Sequence, residues 1–71
     1  MSFIDSILRA LTDRSWHSIK DVSEYSGYSE VKTVMIIKFL LRFGFVDLSK
    51  NENQVKLSSP MFKFMSEIEE I

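Results

Sequence analysis

The sequence contains no cysteine. No disulfide and no thiolate metal site can hold the fold together, so stability has to come from apolar packing. Gly27, Gly44 and Pro60 are the only glycines and proline in 71 residues. That leaves little room for linkers and predicts one compact, mostly regular domain, close to the smallest size that sustains a core without staples. Histidine occurs once, at His17 beside Trp16, with no cysteine and no carboxylate pair near it in sequence. A structural histidine is expected, and no metal site. There is no glycine-rich phosphate loop, and one histidine does not assemble a Ser-His-Asp set; neither an enzyme nor a cofactor is expected. The most apolar stretch, Val34 to Val46, is interrupted by Lys38 and Arg42 and is too short to span a bilayer. No basic segment followed by an apolar run opens the chain, so no signal peptide is expected, and the absence of cysteine points to the cytoplasm.

What is present is apolar bulk. Hydrophobic residues make up 45% of the chain, including six Phe, two Tyr and one Trp. The formal net charge is −1, but it is unevenly spread. Between Ser29 and Ser59 the basic residues Lys32, Lys38, Arg42, Lys50 and Lys56 outnumber the acids Glu30, Asp47 and Glu52. Glu67, Glu69 and Glu70 concentrate acidity at the C-terminal end, most simply as a solvated tail.

Ser2 and Asp5 form a capping-box start, and Ile4, Ile7, Leu8 and Leu11 follow at helical spacing. A first helix is predicted from Phe3 to Asp13. Trp16-His17 reads as a short extended segment, with Trp16 anchoring it to the core. Ser18-Ile19-Lys20-Asp21 repeats the start signal. It opens a second helix from Ile19 to Ser26, with Ile19, Val22 and Tyr25 inward and Gly27 as the stop. Ser29 caps a third helix from Glu30 to Phe43, whose inward stripe is Thr33, Ile36, Ile37, Leu40 and Leu41; Gly44 ends it. Phe45–Leu48 and Val55–Leu57 read as two strands around a polar turn, Ser49 to Gln54. Ser59 as cap and Pro60 at the first helical position start a last helix over 60–70. Its apolar face is Met61, Phe62, Phe64, Met65 and Ile68.

This order, and in particular the run Ile19-x-x-Val22, Gly27-Tyr28-Ser29, Ile36/Ile37, Leu40, Gly44-Phe45-Val46 and Val55-Lys56-Leu57-Ser58, resembles the winged helix-turn-helix family of small DNA-binding regulators. The resemblance covers nearly the whole chain. It implies an α+β, mainly α fold. A helix-turn-helix occupies 19–43, a β-hairpin wing 45–57 and a C-terminal helix 60–70, all in a single domain over 1–71.

The resemblance also implies a transcriptional regulator or small architectural protein that binds double-stranded DNA. Helix 30–43 enters the major groove and the 48–56 wing lies on the backbone. Lys32, Lys38 and Arg42 then meet phosphate or guanine, and Met35 can touch a thymine methyl. Ser29 and the first backbone N–H groups of the third helix suit a phosphate. Lys50 and Lys56 reach the backbone, with Asn51, Asn53 and Gln54 as hydrogen-bonding partners. The same helix exposes Val31, Val34 and Met35, which suit a protein. The alternative reading is therefore a winged-helix protein-interaction module in a transcription or other macromolecular assembly. The apolar excess of the last helix predicts a homodimer through Ile7, Met61, Phe64, Met65 and Ile68.

Overall fold

The computed structural model describes residues 3–69. Among these, four helices pack with one three-stranded antiparallel sheet, a small α+β arrangement that is mainly helical. The helices are α1 (Phe3–Ala10), α2 (Ile19–Ser26), α3 (Glu30–Arg42) and α4 (Ser59–Glu69), and the strands are β1 (His17–Ser18), β2 (Val46–Leu48) and β3 (Gln54–Leu57).

α1 stops three residues before its predicted end. Thr12 Oγ1 donates to Arg9 O at 3.0 Å, Asp13 Oδ1 accepts the Ser15 N–H at 2.9 Å, and Arg14 takes a left-handed φ of 62°. These side chains offer the backbone alternatives to the helical ladder, so the last turn unravels while Leu11 stays buried. The predicted Ser2 cap lies outside the described residues, as does residue 70 of the last helix. Asp5 pairs forward with Arg9 Nε at 3.4 Å.

α2 and α3 have the predicted starts. Ser18 Oγ accepts the Asp21 N–H at 3.0 Å, and Ser29 Oγ accepts the Lys32 N–H at 3.1 Å. α3 closes with a Schellman arrangement: the Phe45 N–H reaches Leu40 O at 3.0 Å and the Gly44 N–H reaches Leu41 O at 3.0 Å. Gly44 supplies the left-handed residue at φ 75° that this closure needs. The closure takes Phe45 out of the strand, so β2 begins at Val46.

The strand order is β1-β3-β2. β3 lies between its neighbours, with Val55 opposite both His17 and Leu48. The segment around His17 thus pairs as an outer strand, one residue later than Trp16-His17 predicts. The core combines Ile7, Leu8 and Leu11 of α1, Val22 of α2, and Ile36, Ile37 and Leu40 of α3. Val46, Val55 and Leu57 of the sheet and Met65 of α4 complete it.

Several predicted placements change. Trp16 is exposed rather than an anchor: it stands on the outer side of the sheet with the Lys56 ammonium 4.8 Å from its ring centroid. Tyr25 and Leu41 are also exposed, because each falls at the edge of its helix's buried stripe, beyond the reach of the neighbouring elements. The cap of α4 is Ser58, whose Oγ accepts the Met61 N–H at 3.2 Å, so Pro60 occupies the second helical position. The surface predicted for dimerisation is divided. Ile7 and Met65 are buried in the core of the chain itself and Met61 is half-buried, whereas Phe64 and Ile68 are open.

Candidate nucleic-acid interface

The turn between α2 and α3 sets the direction of α3. Gly27, at φ 81°, ends α2 and returns its N–H to Ser23 O at 2.9 Å. Ser23, itself buried, donates its hydroxyl across the turn to Tyr28 O at 2.6 Å. A buried carbonyl needs a partner, and this hydroxyl supplies it, fixing the angle between the two helices.

With Thr33, Ile36, Ile37 and Leu40 inward, about 3.6 residues per turn places Val31, Met35, Lys38 and Arg42 on the opposite side of α3. All four are exposed, whereas Val34, expected outward with Val31 and Met35, is half-buried in the cleft beside the hairpin. Lys32 projects toward the α1 flank instead, where it helps line a groove with Ile4, Met35, Ile36 and Phe39. Its ammonium sits 5.0 Å from the ring centroid of Tyr28. Ser29 uses its oxygen for the cap, and its hydroxyl proton remains the group that can meet an anion.

The hairpin between β2 and β3 flanks the other side of α3. Lys38 and Val34 of α3 line one cleft together with Leu48 and Glu52 of the hairpin. The tip is tied internally: Ser49 Oγ donates to Asn51 Oδ1 at 2.9 Å and accepts the Gln54 N–H at 3.0 Å. The Asn51 amide group therefore presents its NH₂ end outward as a donor. Lys50 is exposed at this tip. Glu52 holds a left-handed φ of 60°, and its N–H closes the turn on Ser49 O at 2.9 Å.

Lys56 does not join this surface. Val55 and Leu57 are buried on the inner side of the sheet, so Lys56 between them points to the outer side, over Trp16. The structure thus gathers Met35, Lys38 and Arg42 on one helix face, places Lys32 and Ser29 at its N-terminal shoulder, and sets Lys50 and Asn51 at the tip of the flanking hairpin. Two residues of the site were not singled out by sequence. Ser23 resembles any helical serine until its partner across the turn is known. Glu52 looks like one more polar turn residue, although a carboxylate there faces the same cleft as Lys38.

Arg42, at the C-terminal end of α3, has the charge that suits the helix dipole. No helix among the described residues is long and apolar enough to cross a membrane. No protein-family model matches the chain, and no curated protein or solved structure matches it either.

Proposed function

We propose that the chain is a winged helix-turn-helix domain that docks on double-stranded DNA, with α3 in the major groove and the β2–β3 hairpin on the phosphate backbone. The observation that carries this reading is the shared cleft of Lys38 and Glu52. It puts the hairpin directly beside the outward face of α3, so one duplex can meet both. Lys38 and Arg42 lie one helical turn apart on that face, and Lys50 is exposed at the tip of the hairpin. Val31 and Met35 offer apolar contact but no base-specific hydrogen bonds, so binding is led by phosphate.

Fluorescence anisotropy with a labelled duplex tests the reading. Affinity falls steeply as salt rises, since each phosphate contact releases condensed counterions. A double change of Lys38 and Arg42 to Ala weakens binding on every sequence and flattens the salt slope by roughly two contacts' worth. Absence of duplex binding at low salt rejects it.

The exposed Val31 and Met35 favour a second reading, in which the same α3 face docks on a protein within a larger assembly. Met35→Glu separates the two. A protein-docking face loses its contact through the buried charge whatever the salt concentration, whereas on DNA the added carboxylate is felt mainly at low salt.

A further inference from the structure

We propose that the aromatic face shared by α3, the residues leading into β2, and α4 is the docking surface for a second copy of this chain. Phe39 of α3 and Phe43, which caps its C-terminal end, stand one turn apart, their ring centroids 4.9 Å apart at 56°. Phe43 in turn lies 6.0 Å from Phe45, nearly parallel at 28°. These rings form a ridge with a groove on either side. One groove, of about 390 Å³, runs along Ile4, Met35 and Phe39; the other, of about 320 Å³, lies between Phe43, Phe45, Met61 and Phe64.

Charge narrows the choice of occupant. Among the residues lining the two grooves, Lys32 alone is charged, and it stands at the far edge. A phosphate backbone finds too few cations here to bind. The occupant is apolar, and the chain itself supplies an aromatic ridge between two apolar grooves. A ridge and a groove on one face are complementary to the same face turned through a two-fold axis, which is the geometry of an isologous pair.

Area supports the same partner. Met35 is 67% exposed, Phe39 47%, Phe43 57%, Phe64 54% and Ile68 63%. For large side chains these fractions leave roughly 100 Å² uncovered on each, on the order of 500 Å² in all. That is at the upper end of what a soluble monomer leaves open. Two such faces together remove about 1,000 Å² from water before any polar rim is counted, the size at which specific interfaces begin. This surface keeps Phe64 and Ile68 from the dimer face expected from sequence, and it replaces the buried Ile7 and Met65 with Phe39 and Phe43. It shares Met35 and Lys32 with the α3 surface proposed to meet DNA, but neither its argument nor its test requires DNA binding.

Sedimentation equilibrium of the full chain, over a range of concentrations, tests the proposal. The wild type associates to a dimer. Phe43→Asp and Phe64→Asp each weaken that association roughly tenfold or more, as expected for a central aromatic anchor. Tyr25→Asp, on the exposed side of α2, leaves it unchanged. Circular dichroism verifies that each variant keeps its helix content; should Phe43→Asp fail to fold, Phe64→Asp, clear of every cap, decides. A wild type that stays monomeric throughout overturns the proposal, and so does a dimer indifferent to both changes. A monomer that instead co-sediments with phosphatidylglycerol vesicles, and loses this in Phe64→Asp, overturns it in favour of a lipid surface.

Discussion

The hydroxyl of Ser58 donates to the carbonyl of Gly44 at 2.8 Å, joining the end of α3 to the start of α4 across 14 residues. The same oxygen accepts the Met61 N–H at 3.2 Å and so caps α4. Ser58 is buried, and its backbone N–H donates to Phe45 O at 3.1 Å. One serine thus closes both ends of the hairpin's base. Ser58→Ala loses the cap and strands the Gly44 carbonyl, a combined cost of about 2 kcal/mol. Urea unfolding of the variant measures it; a loss within the scatter of the wild type shows that water replaces the hydroxyl.

Thr33 is fully buried at the N-terminal end of α3's inner face, and its Oγ1 has no hydrogen-bond partner. A buried hydroxyl without a partner carries its desolvation penalty uncompensated. Thr33→Val keeps the shape and removes the polar atom. Stability should rise by about 1 kcal/mol in thermal or urea unfolding. A destabilised variant indicates a partner formed in solution.

Glu52 occupies the left-handed region without being glycine. Asn tolerates that conformation better, so Glu52→Asn relieves strain of about 1 kcal/mol. The change also removes a carboxylate from the cleft that holds Lys38. Under the proposed function, the variant binds duplex DNA more tightly than the wild type at low salt, and the gap narrows as salt rises. Urea unfolding reads the relieved strain, and anisotropy titrations at two salt concentrations read the binding.

His17 Nε2 donates to Asp13 Oδ1 at 2.8 Å, and the Ser15 N–H donates to the same carboxylate. The hydrogen bond from His17 first, and that from Ser15 second, hold the Asp13 carboxyl below its ordinary range. A depressed carboxyl stabilises the folded chain above the unfolded-state pKa of about 3.9 and loses this as pH falls through the lower folded value. Asp13 is well exposed, so the effect is small. Asp13→Asn is therefore slightly less stable than the wild type at neutral pH, and the two converge in strong acid. A gap that persists at the acid end assigns the loss to packing instead.

Much of the local structure is legible in the residues themselves. Ser18 and Gly27 delimit α2, and Ser29 and Gly44 delimit α3, because capping and left-handed closure are short-range chemistry within a few residues. The buried stripe of Thr33, Ile36, Ile37 and Leu40 follows from helical periodicity, and the alternation in Val55-Lys56-Leu57 gives the inner side of the sheet. Ser58 shows where such reading slips. Ser59, next to Pro60, is the expected cap, but the carbonyl of Gly44, distant in sequence, holds the hydroxyl of Ser58 in that place.

The candidate site was legible to the same extent. Val31, Met35, Lys38 and Arg42 are outward because their spacing opposes the core stripe. Lys56 was lost from it because the sheet's outer side faces away from α3. Phe39, half-exposed on the flank of α3, carried no expectation from the sequence.

By itself, then, the sequence determined the order of the elements, the caps of α2 and α3 and the centre of each buried stripe, since these depend on neighbours within one or two turns. Tertiary structure alone decided the flanks: which side of α3 the hairpin covers, that Trp16 stands in solvent under Lys56, and that Phe39, Phe43 and Phe64 converge on one open face. A helix in a domain this small has more apolar surface than its neighbours can cover. Only the packing angles between elements determine which part of it remains exposed.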